Sequence, residues 1–229
     1  MDLPWTQQDQ PIARIGRDKP LNLFITHADS VRRPQIEAFI QQRFAQQYAA
    51  NVHHFMPCLF GLESESGELL GAVGLRSAAQ GPLFLERYLG QQTETVIAQS
   101  TGTLAPTRKQ LVEVGNLAAN SAGAARLLIV AITDLLVAMG FRWVTFTSTP
   151  ALLNSFLRLG LTPLALGPAD PKCMGDELVD WGSYYESNPQ VMAGDIFNGH
   201  QRLMQLGAYP RLGHKAFYAL EEMPNVACS

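Results

Sequence analysis

The sequence predicts a mixed α/β fold, a central sheet flanked by helices, on three observations. Strand-like runs alternate with runs at helical spacing along most of the chain. Apolar residues make up 47% of the 229 residues and charged residues 16%, which supplies a core and departs from the composition of disordered chains. No repeat, low-complexity tract or long Gly/Ser or Pro linker divides the chain. The expected organisation is a polar N-terminal arm over 1–20, a core over 21–167, and an extension over 168–229 packed on that core.

The elements follow in order. Pro34 fits the first turn of a helix, and Ile36, Phe39, Ile40, Phe44 and Tyr48 behind it form one apolar stripe. Pro57–Leu62 and Leu69–Ser77 read as two strands joined by a loop with Gly67 at the turn. Leu83–Leu89 fits a strand or a helix. Leu111–Ala118 is rich in β-formers and contains Gly115, which suggests a bulge or a close backbone approach. A helix then runs from Gly123 to about Met139 and stops at Gly140. It is apolar nearly all round, so it should pack on more than one face. Phe141–Thr147 reads as a strand, Pro150–Leu159 as a short helix ended by Gly160, and Leu161–Leu166 as a strand. Beyond Pro168 no clear period remains.

Composition and motif searches exclude several function classes. A net charge of −3 argues against a basic nucleic-acid-gripping face. The longest aliphatic run, Leu127–Ile132, is far short of the ~20 residues a membrane span needs. The N-terminus lacks the basic start and apolar stretch of a secretory signal. Cys58, Cys173 and Cys228 are too scattered for a disulfide framework, and the five histidines have no metal-ligand spacing. The expectation is a cytoplasmic protein without a metal.

The informative stretch is LVEVGNLAANSAGAAR, residues 111–126. Alternation places Leu111, Glu113 and Gly115 on one strand face and Val112, Val114 and Asn116 on the other. A carboxylate in an apolar strand is costly to bury unless it is paired. Glu113 is therefore a candidate general base or amine-binding carboxylate, with an edge-strand carboxylate facing water as the alternative. The small residues from Asn120 to Ala125, leading into a helix, suit an anion site such as a pyrophosphate, with Arg126 adding charge. A turn chosen for packing is the alternative there. Asn154, near the start of a short helix, is either its cap or a cofactor contact.

The succession of strand, Gly loop, helix, strand, Asn helix and "LGL" resembles the acyl-CoA-binding core of the general N-acetyltransferase (GNAT) superfamily. Asn120-x-x-Gly123-x-Ala125 is similar to its pyrophosphate loop, with Asn for the usual Gln or Arg. Asn154, Phe156, Gly160 and Leu161 resemble its N…YxxxGF helix, and Phe156 stands where a tyrosine acid is often found. Glu113-Val114-Gly115-Asn116 and the hairpin ending at Arg76 resemble the corresponding segments of acyl-homoserine-lactone synthases, with Gly115-Asn116 in place of Ser-Arg. Over about 30–200, "FLERYL", "VEVGNLA", "LLNSFLRLGL", "ADP" and "WGSYYESNPQV" resemble the thermostable haemolysin family.

These resemblances imply an N-acyltransferase using acyl-CoA or an acyl-phosphopantetheine thioester, with an acyl carrier protein as a possible partner. The acceptor would be a small amine such as an amino acid or its derivative. Glu113 and Asn116 would be catalytic, and Asn120, Gly123, Ala125, Arg126 and Asn154 would hold the donor. Arg76 and Arg43 would bind an acceptor carboxylate. Phe84, Leu85, Val144 and Phe146 would either wall the acyl chain or belong to the plain core, which is the commoner place for such residues. A directly lytic membrane protein and an inactive acyl-CoA-binding protein are the alternatives.

Overall fold

The computed structural model describes residues 10–218. The chain joins the sheet before residue 20. Strand β1 (Ala13–Ile15) pairs antiparallel with β2 (Leu21–Thr26), and Ile12, Ala13 and Ile15 are buried. Residues 13–15, expected to belong to an arm over 1–20, therefore stand in the sheet instead, and a three-residue strand is too short to show a period in sequence. Helix α1 (Arg33–Tyr48) starts with proline in its first turn and buries Ile36, Phe39 and Ile40. Strands β3 (Cys58–Ser64) and β4 (Leu69–Ser77) form the expected hairpin. The ambiguous 83–89 stretch contains a single turn, α2 (Glu86–Leu89), followed by α3 (Thr93–Thr101).

Strand β5 (Leu111–Ala119) leads into α4 (Ala122–Ala138), whose N-cap Ser121 accepts from the N–H of Ala124. Then come β6 (Trp143–Ser148), α5 (Pro150–Arg158) and β7 (Leu164–Pro168). After two 3₁₀ stretches, over 171–181 and 184–187, the chain forms β8 (Gln190–Asp195), α6 (Ile196–Gln205), α7 (Ala208–Arg211) and β9 (Lys215–Ala216).

Among the described residues nine strands form one sheet in the order β7-β8-β6-β5-β4-β3-β2-β1-β9. Of these described strands β5 and β6 pair in parallel, and the other neighbours pair antiparallel. On one face α1 packs Ile36, Phe39 and Ile40 with Leu59, Ala72 and Ala118. On the other, Leu128, Ile129 and Ile132 of α4 pack with Phe60, Val73, Leu75 and Val112. The apolar circumference of α4 is explained by its neighbours, since it touches the sheet, α5 and α6.

The described part of the expected extension, residues 168–218, does not simply pack on a finished core. β8 inserts between β6 and β7, with Phe146 opposite Met192 on one side and Leu164 opposite Ala193 on the other. β9 closes the far edge against β1. Val191, Met192 and Ala193 are buried consecutively, so this strand is covered on both faces and carries no alternation. Among the described residues, no helix is long and apolar enough to cross a membrane, and no cluster of three or more His, Cys, Asp or Glu could hold a metal.

Candidate active site

Strand β5 lies in the middle of the sheet, so Glu113 is no edge carboxylate: it is 3% exposed. Its two oxygens accept from the backbone N–H groups of Phe84 (2.9 Å) and Leu85 (3.1 Å). That loop is held in turn by Glu86, which accepts from the N–H groups of Leu83 and Thr93 and pairs with Arg108 at 2.6 Å. Arg108 also pairs with Glu94 and donates to the Gly81 carbonyl. Burial raises the Glu113 carboxyl to about 7, outweighing the two N–H donors and nearby Arg76. A carboxyl there is half ionised near neutrality and can take a proton from an amine.

Three residues beyond Glu113, β5 changes course. Ala72 pairs with Ala118 but Gly74 pairs with Gly115, so β5 uses one residue more than β4 over this interval. The extra residue falls at Asn116, whose φ is 52°, and a left-handed residue in a strand makes a bulge. Asn tolerates that conformation better than most side chains. The bulge expected at Gly115 is thus displaced by one residue. At Gly115 itself the neighbour is the flexible end of Met56, whose Cε a Cβ there would displace.

Pairing between β5 and β6 runs only from Leu111–Trp143 to Val114–Phe146, although both strands continue. The sheet opens where they part, and a cavity of about 350 Å³ occupies the opening. Its lining comes from both sides of the sheet. Behind it are apolar residues of the α4 side, including Val73, Val114, Ile129, Leu136, Val144 and Phe146. In front are Arg43, Tyr48, Arg76, Phe84, Glu113, Asn116, Trp181 and Tyr184. The arrangement offers a long apolar chain one arm and a polar reactant the other, with Glu113 beside the second.

Arg76 is the cross-strand partner of Glu113 and makes no hydrogen bond or ion pair among the described residues. Arg43 is elsewhere in the cavity: its Nε donates to the Ala119 carbonyl at 3.2 Å, beside the start of α4. Glu113 and Ala119 are six residues apart along β5, about 20 Å at strand rise, so the two arginines do not converge as expected. Asn116 lines the cavity, but its amide is engaged. Its oxygen accepts from the Met56 N–H (2.8 Å) and its nitrogen donates to the His54 carbonyl (3.1 Å).

At the start of α4, Ser121, Ala122 and Ala125 line the cavity. Gly123 lies in the first turn, where the N–H groups of Ala122 and Gly123 precede the first intrahelical bonds. Asn120 turns away, donating to the Leu69 carbonyl at 3.2 Å, and Arg126 is half-buried outside the lining. Asn154 is exposed. The face of α5 on the cavity carries Ala151, Leu152, Ser155 and Phe156, and the cap of that helix is Thr149. An asparagine one residue off that face points to solvent, because each helical residue turns by about 100°. Of the expected acyl wall, Phe84, Val144 and Phe146 line the cavity, while Leu85 is core.

Residues that motif reading did not assign to the core site come from α1 and the extension. Gly182 (φ 50°) brings the 171–187 segment against the C-terminus of α1, where Ser183 donates from N–H and Oγ to the Tyr48 carbonyl. Trp181 and Tyr184 thereby enter the cavity wall, stacked among Phe44, Tyr48 and Phe84 with ring centres 5.1–6.5 Å apart. In the sequence the aromatic density of WGSYY leaves Trp181, Tyr184 and Tyr185 open between closing over an acceptor and forming the small core of the extension.

Comparison with solved structures shows the same GNAT-like fold. The N-acyl amino acid synthase FeeM, from uncultured soil microbes, is 15% identical with a TM-score of 0.55, covering 83% of this chain and 98% of that one. The acyl-homoserine-lactone synthase LasI is 11% identical with a TM-score of 0.52, over 78% and 91%. The CoA-dependent acyl-homoserine-lactone synthase BjaI, solved with SAM and isopentyl-CoA, is 16% identical with a TM-score of 0.52, over 88% and 90%. No curated protein matches the sequence. The thermostable hemolysin family model matches residues 26–200, well over half of the chain, and the chain belongs to that family.

Proposed function

We propose that this protein is an N-acyltransferase, moving an acyl group from an acyl-CoA or carrier-protein thioester to the amine of an amino acid or its derivative. The observation that carries the reading is Glu113: a central-strand carboxylate, poised near neutral pKa, facing a cavity that passes through the opened sheet. Donor phosphates sit at the N-terminus of α4, against the first-turn N–H groups of Ala122 and Gly123, with Arg43 adjacent. The pantetheine arm runs through the gap between β5 and β6, and the acyl chain occupies the apolar arm. Arg76 holds the acceptor carboxylate bidentately. Glu113 takes the proton of the attacking amine, the N–C bond forms at the thioester carbonyl, and the C–S bond breaks. Backbone N–H groups at the Asn116 bulge stabilise the oxyanion.

Mass spectrometry tests this directly. Acyl-CoAs of rising chain length and acyl carrier protein thioesters are incubated with a panel of amino acids and amines. An amide product, lost in Glu113→Ala and Arg76→Ala, is expected. Wild-type turnover in both variants refutes the assignment. Acyl-CoA binding without any amide points instead to a binding protein that does not turn over.

A further inference from the structure

The FLERYL segment, residues 84–89, begins with the two backbone N–H groups that Glu113 accepts. Sheet pairing does not fix these donors, since they lie in the long connection between β4 and β5. Resting on the acyltransferase reading above, we propose that Arg108 is a positioning residue: it clamps this connection and so holds the Phe84 and Leu85 N–H groups on the base, which favours its ionised form.

The bonds form a closed ring. Arg108 lies just ahead of β5, the strand that carries Glu113. Its Nη1 pairs with Glu86 Oε1 at 2.6 Å and with Glu94 Oε2 at 2.9 Å. Its Nε and Nη2 donate to the carbonyls of Ala78 (2.8 Å) and Gly81 (2.6 Å), in the turn that follows β4 and Arg76. Glu86, held in this way, accepts from the N–H groups of Leu83 (2.8 Å) and Thr93 (3.0 Å). Leu83 and Glu86 flank Phe84 and Leu85, so the two donors are pinned from either side. The ring runs from β5 through Arg108, Glu86 and the loop backbone to Glu113, and so back to β5. A planar guanidinium serves two carbonyls and two carboxylates at once, which the compact ammonium of lysine does not.

Charge adds a second effect of the same sign. The titratable groups that share the cavity with Glu113 are Arg43, His54, Arg76 and the phenols of Tyr48, Tyr88 and Tyr184. Thr145, its partner on β6, is uncharged. Arg76 draws the Glu113 carboxyl down and Glu86 pushes it up. Arg108 neutralises Glu86 and keeps the N–H donors in place, and each effect favours the carboxylate. Leu83 and Leu85 are buried and also anchor the loop. Were that packing sufficient, Arg108 would affect stability and leave the titration of Glu113 alone.

The test compares wild type, Arg108→Met and Arg108→Lys, each first shown to melt cooperatively. Two readouts are taken: the pH dependence of kcat/KM for amide formation, and the infrared band of the protonated Glu113 carboxyl, identified by its loss in Glu113→Gln. In wild type both should have their midpoint near pH 7. Arg108→Met should move both up by about one pH unit, which lowers turnover about fivefold at pH 7 and leaves it within about threefold of wild type at pH 9. Arg108→Lys keeps the charge and loses the fork, so its midpoints should rise by about half as much. If Arg108→Met fails to fold, Arg108→Lys carries the test alone. Unchanged midpoints overturn the proposal. A shift in Arg108→Met that lysine abolishes entirely also overturns it, because charge without the clamp would then account for the effect. If wild type forms no amide, the acyltransferase reading fails, while the infrared midpoints still decide the role of Arg108.

Discussion

Glu113 illustrates how one side chain can be costly and useful at once. Its folded-state carboxyl holds its proton up to about 7, above the ordinary carboxylate range. The folded state therefore binds the proton more tightly than the unfolded chain, and this residue's contribution to stability declines as pH rises from about 4.5 to about 7. Activity runs the other way, since the base must be ionised. The expected kcat/KM rises with pH through about 7, and Glu113→Gln should remove that limb and lower turnover by at least about 100-fold. A pH–rate profile of both proteins checks this. Glu113→Ala also leaves the Phe84 and Leu85 N–H groups without their acceptor, at about 1–3 kcal/mol for each. Two glycines give a contrast at the same scale. A Cβ at Gly182 would collide with the Tyr48 carbonyl oxygen, whereas one at Gly67 meets nothing within 4 Å, although both have positive φ. Gly182→Ala should lower the melting temperature by well over twice the drop seen for Gly67→Ala, which carries only the left-handed penalty of about 1–2 kcal/mol.

At the scale of elements, the junction of β5 and α4 does most of the positioning. The bulge at Asn116 turns β5 away from β6, and Asn116 then ties down the 54–56 segment in front of the opening. Ser121 caps α4 and lines the cavity in the same place. Ser121→Ala should cost about 1 kcal/mol, roughly 2–4 °C in a thermal melt for a chain of this size. Gly123→Asp separates stability from binding. Its Cβ has ordinary contact with Ser121 Oγ at 3.4 Å, and a carboxylate in the first turn favours the helix dipole. The same charge repels donor phosphates, so the variant should melt no lower than wild type and lose the thermal shift produced by acyl-CoA. An undiminished shift would remove the phosphates from this helix end.

The whole molecule is closed by its C-terminal third. β8 supplies partners to both β6 and β7, so a chain ending at residue 167 leaves β7 unpaired and two sheet edges open. Such a truncation should fail to give a cooperative thermal transition by circular dichroism. The last described residues are bound to α4 through Asp134, which accepts from His214 Nε2 at 2.9 Å and from the Tyr218 hydroxyl at 2.8 Å. Burial alone would raise the Asp134 carboxyl, but these donors hold it below its ordinary value. A depressed carboxylate stabilises the fold above the ordinary range and loses that contribution as pH falls below about 4. Asp134→Asn should flatten the acid limb of the melting temperature against pH.

By itself the sequence determined the elements with a clear period or an abrupt stop. The α1 stripe, the β3–β4 hairpin, the apolar α4 and its end at Gly140 all stand where patterning put them, because local spacing and turn chemistry act over a few residues. It also singled out Glu113, since a lone carboxylate in an apolar strand is anomalous wherever that strand lies. Tertiary structure alone decided that Arg43 and Arg76 lie apart, that Asn154 faces solvent, and that Asn116 binds backbone. It also decided that β8 completes the sheet and that Trp181 and Tyr184 reach the cavity. These outcomes depend on register, on a one-residue bulge that shifts every later side chain of β5, and on contacts between segments up to about 135 positions apart, which local pattern does not encode.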